Sequence, residues 1–457
     1  MQKNWKTNRF QLTAEHIAEA KQLAAVRDAG GLKEFLSKLH YADIAEILNE
    51  SDEDSALFSL KQLDRELAAA VLSELNQDLR EHIFKNFSPS EIASYLEWMD
   101  TDDAAGLVSE LAGPGQKLVL ESIQDSGHAA DIEELLKYDD DTAGGLMAKE
   151  LVKVQESWTV ALCVREMRKQ AQNVTRVHSI YVIDSEGKLK GRLSLKDLLT
   201  APFRAPVRDV YIPRVDYVHA STNIDEVIRI MRKYDLEAIP VVDDHGVLLG
   251  RITIDDVVDR IKEEAERDFQ LAAGIHEDLE SGDGLFKQTR ARLPWLLIGM
   301  FGGLGAATII SNFETIMTTY PKLLIFVPLI QATAGNVGVQ SSAIIVQGLA
   351  NNTLKGNLLS RMIRESSVAL ANGISIALIV LLISHYGFYT SYKESISIGI
   401  ALITVIIIAA VVGNLIPVFL NKRGIDPAVA TGPFITTSND VLGIFTYFLI
   451  AKMILRF

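Results

Sequence analysis

Asp440 is the residue with the most chemistry to account for. It ends the run Thr436-Thr437-Ser438-Asn439-Asp440, inside an apolar stretch from Ala428 to Ile454 with no Lys or Arg before Lys452. A carboxylate within a membrane helix costs several kcal/mol, so it either faces a wet cavity and serves an ion, or is kept protonated or hydrogen-bonded for packing. Two other apolar stretches carry comparable polarity. One is Gln331-Ala332-Thr333-Ala334-Gly335-Asn336-Val337-Gly338-Val339-Gln340, downstream of Pro328; the other has Gly413-Asn414 ahead of Pro417, where a kink is expected. Together they offer neutral oxygens and a single carboxylate. That donor set suits a hard, hydrated cation such as Mg2+, which prefers oxygen and gives up water reluctantly. No His or Cys lies in these stretches, which argues against a tight zinc or copper site.

The elements that must carry these residues are membrane helices. Five apolar segments, 294–313, 323–349, 368–386, 396–420 and 428–454, are each long enough to cross about 30 Å of hydrocarbon. Basic residues mark alternate ends: Arg290 and Arg292 before the first, Lys355, Arg361 and Arg364 between the second and third, Lys422 and Arg423 between the fourth and fifth. Basic loops stay inside, so the preceding residues belong in the cytosol and the C-terminus outside. Gly299-x-x-x-Gly303 permits close helix packing. Five spans scarcely enclose a wide polar route, whereas a twofold dimer with the route near its axis brings two Asp440 carboxylates together.

Charge is divided unevenly. From Pro294 onward there are nine Lys and Arg against five Asp and Glu, leaving 36 basic and 54 acidic side chains in the first 293 residues, a net of −18. Such acidity excludes nucleic acid as a partner and fits a binder of cations. The single cysteine, Cys163, allows no disulfide framework and no thiolate metal site. The N-terminal MQKNWKTNRF lacks the apolar core of a signal peptide.

From His40 the chain repeats every twelve residues, with Leu48, Leu60, Leu72, Phe84, Leu96, Val108 and Leu120 at position nine. Asp52, Asp64, Asn76, Ser88 and Asp100 stand at position one, where helix N-caps are expected. Short capped helices with one apolar stripe bury it only by stacking, which predicts a small α-superhelix. Acids such as Asp100, Asp102 and Asp103 then lie at helix starts, where they complement the helix dipole whatever else they do.

A second duplication follows. Ile180–Asp197 aligns with Ile239–Asp256 at an offset of 59 residues, each copy reading as strand, Gly turn (Gly187, Gly246), strand, then a helix opening at Asp197 or Asp256. Amphipathic helices precede them at 160–170 and 224–234. The pattern resembles a tandem CBS pair. Gly191-x-x-Ser194-x-x-Asp197 and Gly250-x-x-Thr253-x-x-Asp256 resemble that module's ribose contact and make ATP a candidate ligand, although Ser/Thr-x-x-Asp is also an ordinary helix start. No nucleophile–base pair is visible, so no enzyme activity is expected. From Asp256 to Ala273 there is no Gly or Pro, and the helix expected there serves either as a lever or as a solvated linker.

Taken together, the chain resembles the MgtE family of magnesium channels and transporters over essentially its whole length. The most specific marks are Pro328-Leu-Ile-Gln-Ala-Thr-Ala-Gly-Asn336-Val-Gly-Val-Gln340 and Asp426-Pro-Ala followed by Gly432-Pro and Thr436-Thr-Ser-Asn-Asp440. The resemblance implies an α-superhelical domain (1–137), two CBS motifs (138–204 and 205–259), a plug or connecting helix (260–292) and a five-helix transmembrane domain (293–457). It implies a homodimer in the cell membrane that takes up Mg2+, with Asp440 as the pore acid, Asn336 beside it, and the helix from Asp256 as the plug. Regulatory Mg2+ would bind Asp100, Asp102, Asp103, Asp235, Asp256, Glu264 and Asp268, with Asp426 where the plug reaches the membrane half. Two departures stand out: Ala334 where the family usually has Gly, and Arg267 in the plug where an acid is common. The competing expectation is an ATP-regulated secondary transporter whose Asp440 carries a proton.

Overall fold

The computed structural model describes residues 12–174, 176–275, 279, 283–350, 358–430 and 432–456; Lys355 and Thr431 lie outside them. The chain divides into two compact units, Met1–Arg260 and Ile261–Phe457.

The first unit opens with ten helices: α1 (Ala14–Ala25), α2 (Ala29–Leu36), α3 (Tyr41–Asn49), α4 (Glu53–Gln62), α5 (Arg65–Ser73), α6 (Gln77–Lys85), α7 (Pro89–Leu96), α8 (Thr101–Ser109), α9 (Gly113–Ser122) and α10 (Ser126–Leu135). Every position-one residue of the repeat is an N-cap, from His40 through Asp52, Asp64, Asn76, Ser88 and Asp100 to Ala112. Asp52 Oδ1 accepts from Ser55 N at 3.0 Å, and Ser88 and Glu91 cap each other reciprocally. Such a cap stabilises its helix by about 1 kcal/mol. The position-nine side chains from Leu48 to Val108 are buried. The last block departs, with Val119 in the core and Leu120 only partly buried, because Ala112 supplies no cap and Gly113-Pro114 opens the helix. Helices pack two along, α3 on α5, α5 on α7 and α7 on α9, with α2 on α4 and α4 on α6. Stacking of this kind buries stripes that no single short helix could bury.

After α11 (Ala143–Leu146) come two sheets. In the first, β1 (Val152–Gln155) pairs parallel with β2 (Ile180–Ile183), which pairs antiparallel with β3 (Leu189–Leu193), itself edged by β4 (Ile212–Pro213). In the second, β5 (Val218–His219) runs parallel to β6 (Ala238–Val242), which is antiparallel to β7 (Leu248–Thr253). Equivalent strands carry equivalent register shifts, at Val182/Ile183 and Val241/Val242. Gly187 and Gly246 turn the two hairpins at φ +82° and +81°, a region glycine enters without strain. The hairpins then bond each other symmetrically: Leu189 N donates to Gly246 O and Leu248 N to Gly187 O, both at 3.0 Å. Helices α12 (Val160–Gln170) and α14 (Ile224–Tyr234) cover the sheets where the periodicity places them.

Two expectations need correction here. The helices after β3 and β7 are α13 (Leu195–Thr200) and α15 (Ile254–Ala272), so they open two residues before Asp197 and Asp256, not at them. Ser194 is the N-cap of α13 and Asp197 its third residue, the geometry of a capping box. Nor is 260–292 one helix. α15 begins in the first unit and ends at Ala272, and Gly274 at φ +80° turns the chain.

The second unit holds five helices long and apolar enough to cross a membrane. α16 (Leu285–Asn312) starts well before Pro294 and runs through it; the short α17 (Glu314–Thr319) follows. A 3-10 turn (Pro321–Phe326) leads into α18 (Val327–Ala350), and α19 (Leu358–Leu382) ends in a π turn (Ile383–Gly387). α20 (Tyr392–Lys422) continues as helix through Pro417 and packs on α18, α19 and the last helix, α21 (Pro433–Leu455). α21 starts later than the apolar run implies, because Gly432 and Pro433 break the chain after a 3-10 turn over Pro427–Ala430.

Candidate functional site

α21 carries the acid. It packs closely on two helices because the residues opposite are glycines. A Cβ at Gly302 would collide with Thr437, and one at Gly338 would meet Ile435 at 2.7 Å and collide with the Asn439 amide. Asp440 is half-buried, its Oδ1 3.9 Å from where a Cβ on Gly335 would stand, while Asn336, next to Gly335 on α18, stays exposed. The two residues nominated for the ion path are thus carried by neighbouring stretches of α18 and α21. Asn439 and Asn414 do not join them. Both are buried, and the Asn414 Nδ2 donates to Ala410 O at 2.7 Å. Successive residues on a helix point about 100° apart, so a side chain beside Asp440 turns inward.

In the same unit the end of α15 seats on the start of α21. A Cβ at Gly274 would lie 2.7 Å from Pro433 and 3.4 Å from Trp295, and one at Gly432 would run into the Ala272 carbonyl. Seven residues, about 10 Å of helix, separate Pro433 from Asp440. Of the acids nominated nearby, Glu264 is exposed and Asp268 half-buried. Asp426 is exposed, and its Oδ1 accepts from Ala428 N at 2.8 Å, capping the turn that precedes α21.

In the first unit acids converge. Burial and then the charges of Asp103, Asp256 and Asp100 hold the Asp102 carboxyl well above the usual range. Burial and then Asp256, Asp100, Glu74 and Asp259 raise Asp103 to about 7, although its side chain keeps solvent contact. Asp256 is also raised, first by burial, against the pull of its bonds from Thr253. Glu74 and Asp259 were not nominated by sequence; Asp259 follows Asp256 by one turn of α15, a spacing that marks a shared face, whereas Glu74 at the end of α5 carries no signal. Thr101 fixes the group: its N and Oγ1 donate to Glu150, and Lys149 N donates to its Oγ1 at 2.9 Å. Asp235 is exposed in the left-handed cap of α14 at φ 51°. Among the described residues, no three His, Cys, Asp or Glu side chains converge tightly enough to hold a bare ion. Spaced acids of this kind suit an ion that keeps its water.

The two Ser/Thr-x-x-Asp motifs differ in setting. Ser194 Oγ donates to Asp197 Oδ2 at 2.6 Å, and Thr253 Oγ1 to Asp256 Oδ2 at 2.5 Å. Both carboxylates therefore already serve helix starts, and a sugar hydroxyl would have to share them. Ser194 and Asp197 are half-buried and reachable, whereas Thr253 is buried and Asp256 belongs to the acidic group. An open cleft of about 610 Å³, lined by Ser109, Tyr138, Asp139, Asp140, Asp141 and Arg260, includes none of the nominated residues.

A stacked helical domain, a paired nucleotide-type module and five apolar helices bearing one inner acid define a regulated membrane transporter of cations. Residues 327–450 match the family described as a divalent cation transporter, 39–141 the MgtE intracellular N domain, and 143–204 and 207–263 the CBS domain. The chain is 31% identical over 434 residues to the magnesium transporter MgtE of Thermus thermophilus, covering 94% of this chain and 96% of that one. It is 35% identical to the protein of that name from Enterococcus faecalis, over 73% of each chain. Among solved structures, the cytosolic domain of the Mg2+ channel MgtE in complex with ATP superposes with a TM-score of 0.50 and 35% identity, covering 54% of this chain and all of that one. The chain belongs to the MgtE family.

Proposed function

We propose that this protein is a Mg2+-selective channel or transporter that takes up magnesium across the cell membrane and is closed by cytosolic Mg2+ bound to its soluble acids. The observation that carries the reading is Asp440, half-buried on α21 beside the Gly335–Asn336 step of α18. Asp440 holds the hydrated ion, and Asn336 orients its water. The end of α15 is the plug, seated on the Gly432–Pro433 turn that starts the same helix. Asp100, Asp102, Asp103 and Asp256 take up regulatory Mg2+, which relieves the repulsion between them; Asp235, Glu264, Asp268 and Asp426 add sites as the domains compact. At an effective dielectric of about 20, two unit charges 4 Å apart repel by roughly 4 kcal/mol, so a divalent ion between them favours the compact state. The working unit is a homodimer with its N-terminal domains in the cytosol and its C-terminus outside, divided at residues 137, 204, 259 and 292. ATP binds the CBS pair at Ser194 and Asp197, with Thr253 and Asp256 as the twin motif, and no catalytic role is assigned.

The test is Mg2+ flux into vesicles reconstituted with Asp440→Asn, which keeps size, and Asp440→Ala, which does not. Both are expected to lose at least tenfold in rate. Wild-type flux in both would make the acid structural. Flux that follows a pH gradient rather than the Mg2+ gradient would favour the proton-coupled carrier instead.

A further inference from the structure

Arg251 is a buried cation in an acidic surrounding. Its side chain is 5% exposed on β7, its Nη1 donates to Arg176 O at 3.1 Å, and its Nε has no partner. The backbone is pinned on both sides, Arg251 N to Ala148 O at 2.9 Å and Ala148 N to Arg251 O at 2.8 Å. Two residues on, Thr253 shares its face of the strand, and Thr253 holds the Asp256 carboxylate through N and Oγ1. Across the seam between the two sheets the Tyr181 hydroxyl is likewise buried without a partner. Burial pushes this phenol up to about 12, against the pull of Arg251 and Arg192. The duplicated partner of Arg251 is Arg192, which precedes Ser194 by the same two residues but is exposed. One copy thus keeps its arginine in water, and the other encloses it beside the acids. A buried guanidinium left half-satisfied is costly and has no structural duty that a well-packed apolar side chain could not meet.

We propose that Arg251 is an internal cation that competes with Mg2+ for the acids around Asp256 and so sets the Mg2+ concentration at which the soluble half compacts. This rests on the regulatory reading above, in which Asp100, Asp102, Asp103 and Asp256 bind Mg2+. The fixed positive charge lowers the attraction of those acids for a second cation without occupying them. Removing it strengthens Mg2+ binding by roughly tenfold, given effective dielectrics near 20 and partial screening.

The experiment is limited proteolysis of the 256–293 segment in the full-length protein at pH 8, titrated with Mg2+ and, at matched ionic strength, with NaCl. Arg251→Met is expected to lower the Mg2+ midpoint of protection roughly tenfold, and Arg251→Lys to leave it where the wild type has it. Should Arg251→Met fail to fold, as judged by its melting, Arg251→Gln takes its place with the same expectation. An unchanged or higher midpoint overturns the proposal and makes Arg251 a prop for Asp256. An equal shift in Arg251→Lys overturns it too, since shape rather than charge would then matter. If NaCl protects the wild type as well as Mg2+ does, the regulatory reading falls and this one with it; if only Mg2+ protects and Arg251→Met does not shift, this one falls alone.

Discussion

Asp440 and Asn439 are consecutive, yet one stands beside the exposed Asn336 and the other is buried. The acid was legible in the sequence because a charge in an apolar span breaks the rule for such spans. The direction of Asn439 was not, because a neutral amide is tolerated on any face of a packed helix. The soluble acids were legible as helix starts, but their gathering was not, since Glu74 and Asp259 enter through tertiary packing alone. That gathering has a pH signature. Asp103 is raised from 3.8 to about 7 in the folded chain, so its contribution is fully present below its unfolded value and is lost as pH rises through about 7. Without Mg2+, the melting temperature of the soluble half should therefore fall between pH 5 and 8. Saturating Mg2+ should flatten that slope, and Asp103→Asn should flatten it without Mg2+; calorimetry across the range checks both.

At the scale of elements, the twelve-residue spacing was sufficient for α3 to α8, because cap and core positions recur together. It weakened at α9, where no capping side chain marks the start. The connector was misjudged for a local reason. Gly274 halts α15, and Pro294, which looks like a boundary, lies inside α16. Neither event follows from the apolar stripe. The close seat of α15 on α21 depends on glycine at 432, where any side chain would press on the Ala272 carbonyl. Gly432→Ala should unseat that end and leave Mg2+ flux open at millimolar cytosolic Mg2+, where the wild type closes. Flux measured at high and low internal Mg2+ decides it, and normal closure would show that the seat is not the plug.

For the whole molecule, the charge split between the two halves was legible from composition, and so was the membrane half. The surfaces that assemble were not. Leu195 and Leu199 on α13, with Phe203 just beyond, and Ile254 and Val258 on α15, are exposed apolar residues of the two CBS copies. Leu199 is 82% and Phe203 71% exposed. A continuous apolar face of that kind on a soluble unit marks a protein contact, and a second copy fits the twofold ion path. Light scattering in mild detergent should give the mass of a dimer, and Leu199→Asp with Phe203→Asp should reduce the dimer fraction. A monomer that still transports would remove the need for a shared path.

The two CBS copies meet through main-chain atoms at glycine turns, Leu189 to Gly246 and Leu248 to Gly187. No side chain is needed to hold that junction. Each copy can therefore drift in composition without losing its twin, and the drift is visible: an arginine in water on one side, an enclosed one on the other; a reachable ribose-type cap here, the same cap drawn into an acidic cluster there. A joint indifferent to side chains lets a duplicated part become two instruments on one frame, one able to register a nucleotide while the other registers a metal.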